Sequence, residues 1–198
     1  VPVNPLATNM LTFWPSRIKS AGNGLNNFLN ADPSDYNSYN GIIKMDHRFN
    51  DKHSISARYF GGTGAQTAPT NSQLAEYFQV APSRMHNVSV VLNSVLSPRI
   101  VNQLTLGTNF FLQVFNDADT SIDPVKLGLN TGVTEASLRG TPTTTINGFT
   151  PVGVTQPLGR IDTTGHLTDN LSYTIGRHTL KIGGEYRRAQ LDVFYDTN

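Results

Sequence analysis

Five histidines, His47, His53, His86, His166 and His178, are the side chains of this chain best suited to hold a metal or move a proton near neutral pH. None forms a spaced ligand pair such as His-x-x-x-His, and a metal needs three or four convergent ligands. Turn or interfacial positions account for them. Carboxylates gather in Asn116-Asp117-Ala118-Asp119-Thr120-Ser121-Ile122-Asp123, as they do in calcium sites. The run lacks the glycine and terminal glutamate of an EF-hand loop, so Asp117, Asp119 and Asp123 are cation candidates at most, in a solvated loop. Gly61-Gly62-Thr63-Gly64 has the glycine density of a phosphate loop without the following Lys-Ser/Thr, and reads as a flexible loop. Ser, His and Asp all occur, but no Gly-x-Ser-x-Gly elbow presents a nucleophile. Asn87-Val88-Ser89 and Asn170-Leu171-Ser172 match the glycosylation acceptor pattern, yet both fall inside extended segments. The expectation is a protein that is not an enzyme, with no catalytic residues, no cofactor and no metal site.

Such residues need elements to position them, and composition narrows the choice. Charged residues make up 15% of the 198, against about 25% in ordinary soluble domains. Asn, Thr, Ser and Gly are abundant, which suits strands and loops better than helices. Lys+Arg 15 against Asp+Glu 14 leaves no basic footprint for nucleic acid. With no cysteine there is neither a disulfide framework nor a thiolate site. No apolar run approaches the ~18 residues of a membrane helix, a test blind to barrel strands, whose signal is alternation. Val1-Pro2-Val3-Asn4-Pro5 has neither the basic region nor the apolar core of a signal peptide. A start without methionine points to processing or to an internal piece of a longer chain.

Alternation marks six strands. Tyr39 to Phe49 sets Ile43, Met45 and Phe49 against Lys44, Asp46 and Arg48. His53 to Phe60 sets Ile55, Ala57 and Tyr59 against Ser54, Ser56 and Arg58. Met85 to Leu96 sets Val88, Val90 and Leu92 against Asn87, Ser89 and Asn93. Ile100 to about Phe115 sets Leu104, Leu106, Phe110 and Leu112 against Gln103, Thr105 and Asn109. About His166 to Ile175 carries Leu167, Leu171, Tyr173 and Ile175 on one face. From His178 onward Leu180, Ile182 and Tyr186 oppose Lys181, Glu185 and Arg187. Such a pattern fits a half-buried strand of a soluble sheet or a membrane strand between lipid and a polar lumen. Pro5 to Trp14 and Ser72 to Phe78 are the best short helical stretches.

The connections fall into two classes. Asn50-Asp51-Lys52, Ser97-Pro98 and Gly176-Arg177 are tight turns, whereas Gly61–Arg84 and Asn116–Arg160 are long loops. Successive hairpins put all tight turns at one end of the sheet and all long loops at the other, the asymmetry of outer-membrane barrels. The expected fold is all-β, an antiparallel up-and-down meander, either part of a transmembrane barrel or an open sheet assembled through its edges. One segment covers 1–198, with an N-terminal loop segment over 1–38, hairpins over 39–60, 85–115 and 161–198, and a long loop over 116–160. Phe49, Tyr59, Phe110, Phe111, Tyr173, Tyr186 and Phe194 suit either an interfacial girdle or a soluble core. Trp14, Tyr77, Phe78 and Phe149 lie in the long connections, where they can contact a ligand or pin the loops.

Three stretches carry a family likeness. They are Asn4-Pro5-Leu6-Ala7 through Leu11-Thr12-Phe13-Trp14-Pro15, Tyr39-Asn40-Gly41 through Asp46-His47-Arg48-Phe49-Asn50-Asp51-Lys52-His53-Ser54-Ile55-Ser56-Ala57-Arg58-Tyr59, and Gly176-Arg177-His178-Thr179-Leu180-Lys181-Ile182-Gly183-Gly184-Glu185-Tyr186-Arg187. In this order the chain resembles the barrel portion of TonB-dependent outer-membrane receptors of the Oar-like group. The family's plug domain, energy-coupler box and most barrel strands are missing from this stretch, and six strands are fewer than the eight that close a small membrane barrel. The resemblance implies a portion of a nutrient receptor of the bacterial outer membrane. Its expected partners are membrane lipid, the remainder of the barrel or further copies of the chain, and a periplasmic energy coupler. The competing expectation is an extracellular structural β-protein, derived from such a receptor and assembling through its sheet edges.

Overall fold

A computed structural model describes residues 2–14, 31–132, 134–136, 139–153 and 158–195. Pro15 of the first likeness stretch, much of the N-terminal loop segment, parts of the long loop and the final residues 196–198 lie outside them. Among the described residues one sheet holds six strands, β1 (Asp35–Arg48), β2 (His53–Ala68), β3 (Gln79–Ser97), β4 (Ile100–Asp117), β5 (Leu158–Ile175) and β6 (His178–Tyr195). They lie in chain order, each antiparallel to its neighbours, and the sheet does not close.

Local chemistry sets the turns. Asn50 Oδ1 accepts from the amides of Lys52 and His53 at 2.8 and 2.9 Å, closing the β1–β2 turn as an Asx motif. Ser97 Oγ accepts from the Arg99 amide at 3.3 Å beside Pro98, and a register shift between Val95 and Ser97 absorbs the extra residue. Gly176 takes φ +57°, which the two-residue β5–β6 hairpin requires and a glycine adopts without strain.

The strands outrun the sequence expectation at their loop ends. Gly61-Gly62-Thr63-Gly64, expected as flexible loop, is strand, as β2 continues to Ala68 and β3 starts at Gln79. Glycine depletes local strand propensity, but a continuous ladder from Ile42↔Phe60 to Asp35↔Thr67 and from Gly61↔His86 to Ala68↔Gln79 supplies the order from both sides. The connection between β2 and β3 is therefore short. Among the described residues the helical elements are α1 (Pro5–Met10), capped by Asn4 whose side chain accepts from the Leu6 amide, and single 3₁₀ turns at Leu11–Phe13 and Ala75–Tyr77.

Register carries the apolar alternations onto a common face. One row across all six strands reads Met45, Ala57, Val90, Leu106, Leu167, Tyr186. The opposite face reads Lys44, Arg58, Ser89, Gly107, His166, Arg187 in one row and Asp46, Ser56, Val91, Thr105, Thr168, Glu185 in the next. Among the described residues nothing covers the apolar face. Ile43 is 70% exposed, Met45 65%, Ile182 67% and Tyr186 68%. Among the described residues no buried hydrophobic belongs to a strand; Phe13, Leu74, Tyr77, Phe78 and Val152 all lie at the loop end.

Candidate functional site

At the loop end, three segments distant in sequence build a small core. Phe13, Leu74, Tyr77 and Val152 are buried together, with Met10, Trp14, Ile122 and Leu127 packed around them. Polar contacts fix the same three segments. Tyr77 donates its hydroxyl proton to the Phe13 carbonyl, and Trp14 Nε1 donates to the Thr150 carbonyl at 2.9 Å. Asn9 Nδ2 reaches the Leu127 carbonyl at 3.2 Å. Burial, with the charges of Glu76, Asp117 and Asp119 adding to it, pushes the Tyr77 phenol up to about 12, so it stays a neutral donor.

Within the long loop, Thr144 and Val152 exchange backbone hydrogen bonds of 2.8 and 3.0 Å. The Phe149 amide closes on the Ile146 carbonyl at 3.0 Å, across Asn147 and Gly148 (φ +85°). This miniature hairpin lifts Phe149 into solvent at 61% exposure while its base is anchored by Trp14 and by fully buried Val152.

The four loop aromatics, expected either to touch ligand or to pin the loops, thus divide. Tyr77 and Phe78 are buried at 6% and 4%, Trp14 is half-buried against the hairpin, and Phe149 stands free at the tip. The aspartates are spread through the loop fabric. Asp117 accepts from the amides of Asp119 and Thr141, at 3.0 and 3.2 Å. Asp119 accepts from the Ser121 amide at 2.9 Å, and hydrogen bonds from the Ser121 hydroxyl and amide hold its carboxyl below the usual range. Asp123 accepts from the Val125 amide and pairs with Arg139 at 3.3 Å. Among the described residues no three His, Asp or Glu side chains converge on a common point.

The histidines sit in the sheet. His53 Nδ1 lies 3.0 Å from Ser94 Oγ, His86 Nδ1 lies 2.8 Å from Tyr59 Oη, and His47 meets the Phe49 ring edge-on at 4.7 Å. His166 covers Gly107, its ring filling the space a Cβ would take. Phe111, one of the expected girdle aromatics, falls instead on the polar face, where Arg160 lies 5.3 Å above its ring. Leu74 and Val152 carried no signal as core residues, since their partners come from other segments. The Asn147-Gly148 dipeptide was the available sign of the tip hairpin.

The polar face is organised by charge. Lys44 pairs with Asp46 at 2.8 Å and Arg187 with Glu185 at 2.7 Å, so the outer ends of the cationic row are neutralised along their own strands. A face of alternating ion pairs, amides and hydroxyls suits a hydrated interior and the opposite face suits hydrocarbon.

Comparison with known proteins agrees with this division. The profile of the family described as "Outer membrane beta barrel domain" matches residues 1–198. No curated protein matches the chain. The chain belongs to the outer membrane beta barrel domain family, whose members are sited in the bacterial outer membrane.

Proposed function

We propose that this member of the outer membrane beta barrel domain family is a sector of a TonB-dependent nutrient receptor, with the apolar face toward lipid, the polar face toward the lumen and the loop core at the extracellular end. The observation that carries the reading is the built loop end. An anchored hairpin presents Phe149 above the strands, braced by Trp14 and by the Tyr77–Phe13 hydrogen bond. A barrel whose loops only shielded its rim would not need a separate core there, whereas recognition of a solute needs contact side chains held on a rigid base. Further support is the resemblance of the Asn4, Tyr39 and Gly176 stretches to the receptor family. In this reading the edges of β1 and β6 pair with the remaining strands of the barrel, and a periplasmic energy coupler drives uptake. Trp14, Tyr77 and Phe78 hold the recognition loop, and Phe149 contacts the solute.

The test is a comparison of three strains of the source bacterium, wild type, one lacking the protein and one lacking the energy coupler. Solutes left in the medium after growth are profiled by mass spectrometry. The reading expects at least one solute that the wild type depletes and both other strains leave behind, and that a Phe149→Ala strain takes up more slowly. If the strain lacking the protein depletes every solute as the wild type does, the receptor reading fails.

A further inference from the structure

A groove of about 640 Å³ lies against β1, β2 and β3 toward their loop ends, lined mostly by residues of the apolar face, with Ile42 and Gly62 of the opposite parity also bordering it. Register resolves it into three rows. Nearest the loops are Tyr39, Thr63 and Arg84, and in the middle Gly41, Gly61 and His86. Nearest the tight turns are Ile43 and Tyr59, and Val88, outside the groove's lining, continues that row on β3. The two paired glycines make the floor. A Cβ on Gly41 would meet nothing within 4 Å, while the Tyr59 ring leans over Gly61. Tyr59 Oη is tied to His86 Nδ1 at 2.8 Å, and the His86 ring lies 5.9 Å from that of Phe110. The rim is therefore polar and cationic on one side and aliphatic on the other, and the aliphatic side continues into Met45, Ala57 and Val90. Arg84 is exposed, and its guanidinium makes no hydrogen bond or ion pair among the described residues.

That sequence of surfaces, a guanidinium, a glycine-floored notch and then an aliphatic strip, matches one molecule in order along the membrane normal. We infer that the groove seats a phosphate-bearing lipid of the outer leaflet, its phosphate on Arg84 and its acyl chain along Ile43, Val88 and Val90. Arg binds phosphate oxygens through paired charge-assisted hydrogen bonds, which strengthen at the dry edge of a bilayer. His86 Nε2 faces no partner among the described residues and supplies a second polar contact. The missing Cβ atoms at Gly41 and Gly61 let the chain or the glycerol backbone approach the sheet. The inference rests on the outward facing of the apolar side.

The test uses the protein purified in a neutral maltoside detergent and titrated with dioleoyl phosphatidic acid, retained adducts being counted by native mass spectrometry. Dioleoylglycerol, which has the chains without the phosphate, and glycerol 3-phosphate, which has the phosphate without the chains, are the comparison probes. The wild type should retain one phosphatidic acid and neither comparison probe. Arg84→Gln should weaken retention about tenfold, the loss of one charge-assisted contact. Gly41→Leu, entering space that is open in the protein alone, should weaken it as much while leaving the charge in place. Retention of dioleoylglycerol equal to that of phosphatidic acid, or an Arg84→Gln protein that binds like wild type, overturns the inference. Displacement of the lipid by an equal concentration of glycerol 3-phosphate would assign a free-anion site and overturn it too. Facing is measured separately, by quenching of a nitroxide at position 182 with a lipid-soluble agent. A quenched label together with no lipid retention condemns the groove alone.

Discussion

Tyr77 is held from two directions, by the Phe13 carbonyl that accepts its hydroxyl proton and by the burial that lifts its phenol to about 12. An unfolded tyrosine ionises near pH ~10. The folded state thus binds the proton more tightly, and its stabilisation is complete below pH ~10 and is lost as pH rises toward about 12. Trp14, the single tryptophan, reports on the same core. Its emission should shift to the red between pH ~10 and ~12 as the loop core opens. Tyr77→Phe should remove that alkaline transition and cost ~1 kcal/mol for the lost hydrogen bond. An alkaline shift of equal size in Tyr77→Phe would show that another group controls it. The glycines offer a graded series at the same scale. An added Cβ meets nothing at Gly41, the His166 ring at Gly107, and both the Phe194 ring and the Gln113 carbonyl at Gly159. Urea unfolding in detergent should find Gly41→Ala near neutral and Gly107→Ala modestly destabilised. Gly159→Ala should lose ~1–3 kcal/mol, because backbone cannot move aside as a side chain can. The double substitution Gly107→Ala with His166→Ala should recover part of the single loss, the signature of a coupled pair.

Strand β6 shows how far element-level reasoning carries. From Leu180 to Tyr186 its outward residues are apolar or glycine, a rise of ~20 Å against the ~25 Å apolar band of a membrane barrel. Beyond Tyr186 the parity reverses, so that Arg188, Gln190 and Asp192 share the outward face and Ala189, Leu191 and Val193 the other. The band therefore ends near Tyr186. A nitroxide at position 182 should be quenched by lipid-soluble agents and one at position 190 by water-soluble agents. Equal water access at both would remove the apolar face from the bilayer. The strand faces were legible because period-two alternation is local, and every apolar set read from Ile43 to Tyr186 lands on the common face. Strand length was not legible at Gly61–Gly64, where neighbouring strands impose an extended backbone that glycine does not itself prefer. Nor was the loop core, since Tyr77 meets Phe13 across 64 positions of sequence and no pattern within either segment announces the other. Of the four loop aromatics, sequence could place all in the right region but could not tell buried Phe78 from exposed Phe149.

At the scale of the whole molecule, the described residues form a single sheet with little among them to cover it. Fully burying a Leu or Phe contributes ~1.5–3 kcal/mol, and among the described residues the loop end gathers few such side chains, Phe13, Leu74, Tyr77, Phe78 and Val152. The broad band around Leu106 and Ile182 needs a hydrocarbon neighbour instead. Strands β1 and β6 also each leave one row of backbone donors and acceptors unpaired among the described residues. An unpaired edge beside an exposed apolar face promotes association in water. The polypeptide of 21.6 kDa, placed in plain buffer, should therefore not behave as a monomer. Light scattering over a range of concentrations should report larger and concentration-dependent species, with detergent required to disperse them. Hydrogen exchange adds the location. In the membrane, successive amides along β1 and β6 should all be protected, those bonded within the sheet and those on its outer edge alike, because a barrel leaves no edge open. Protection of only alternate amides would mean open edges in the native state. A compact, concentration-independent monomer in water would show that the chain caps its own edges, and would count against both a barrel sector and an assembly of copies.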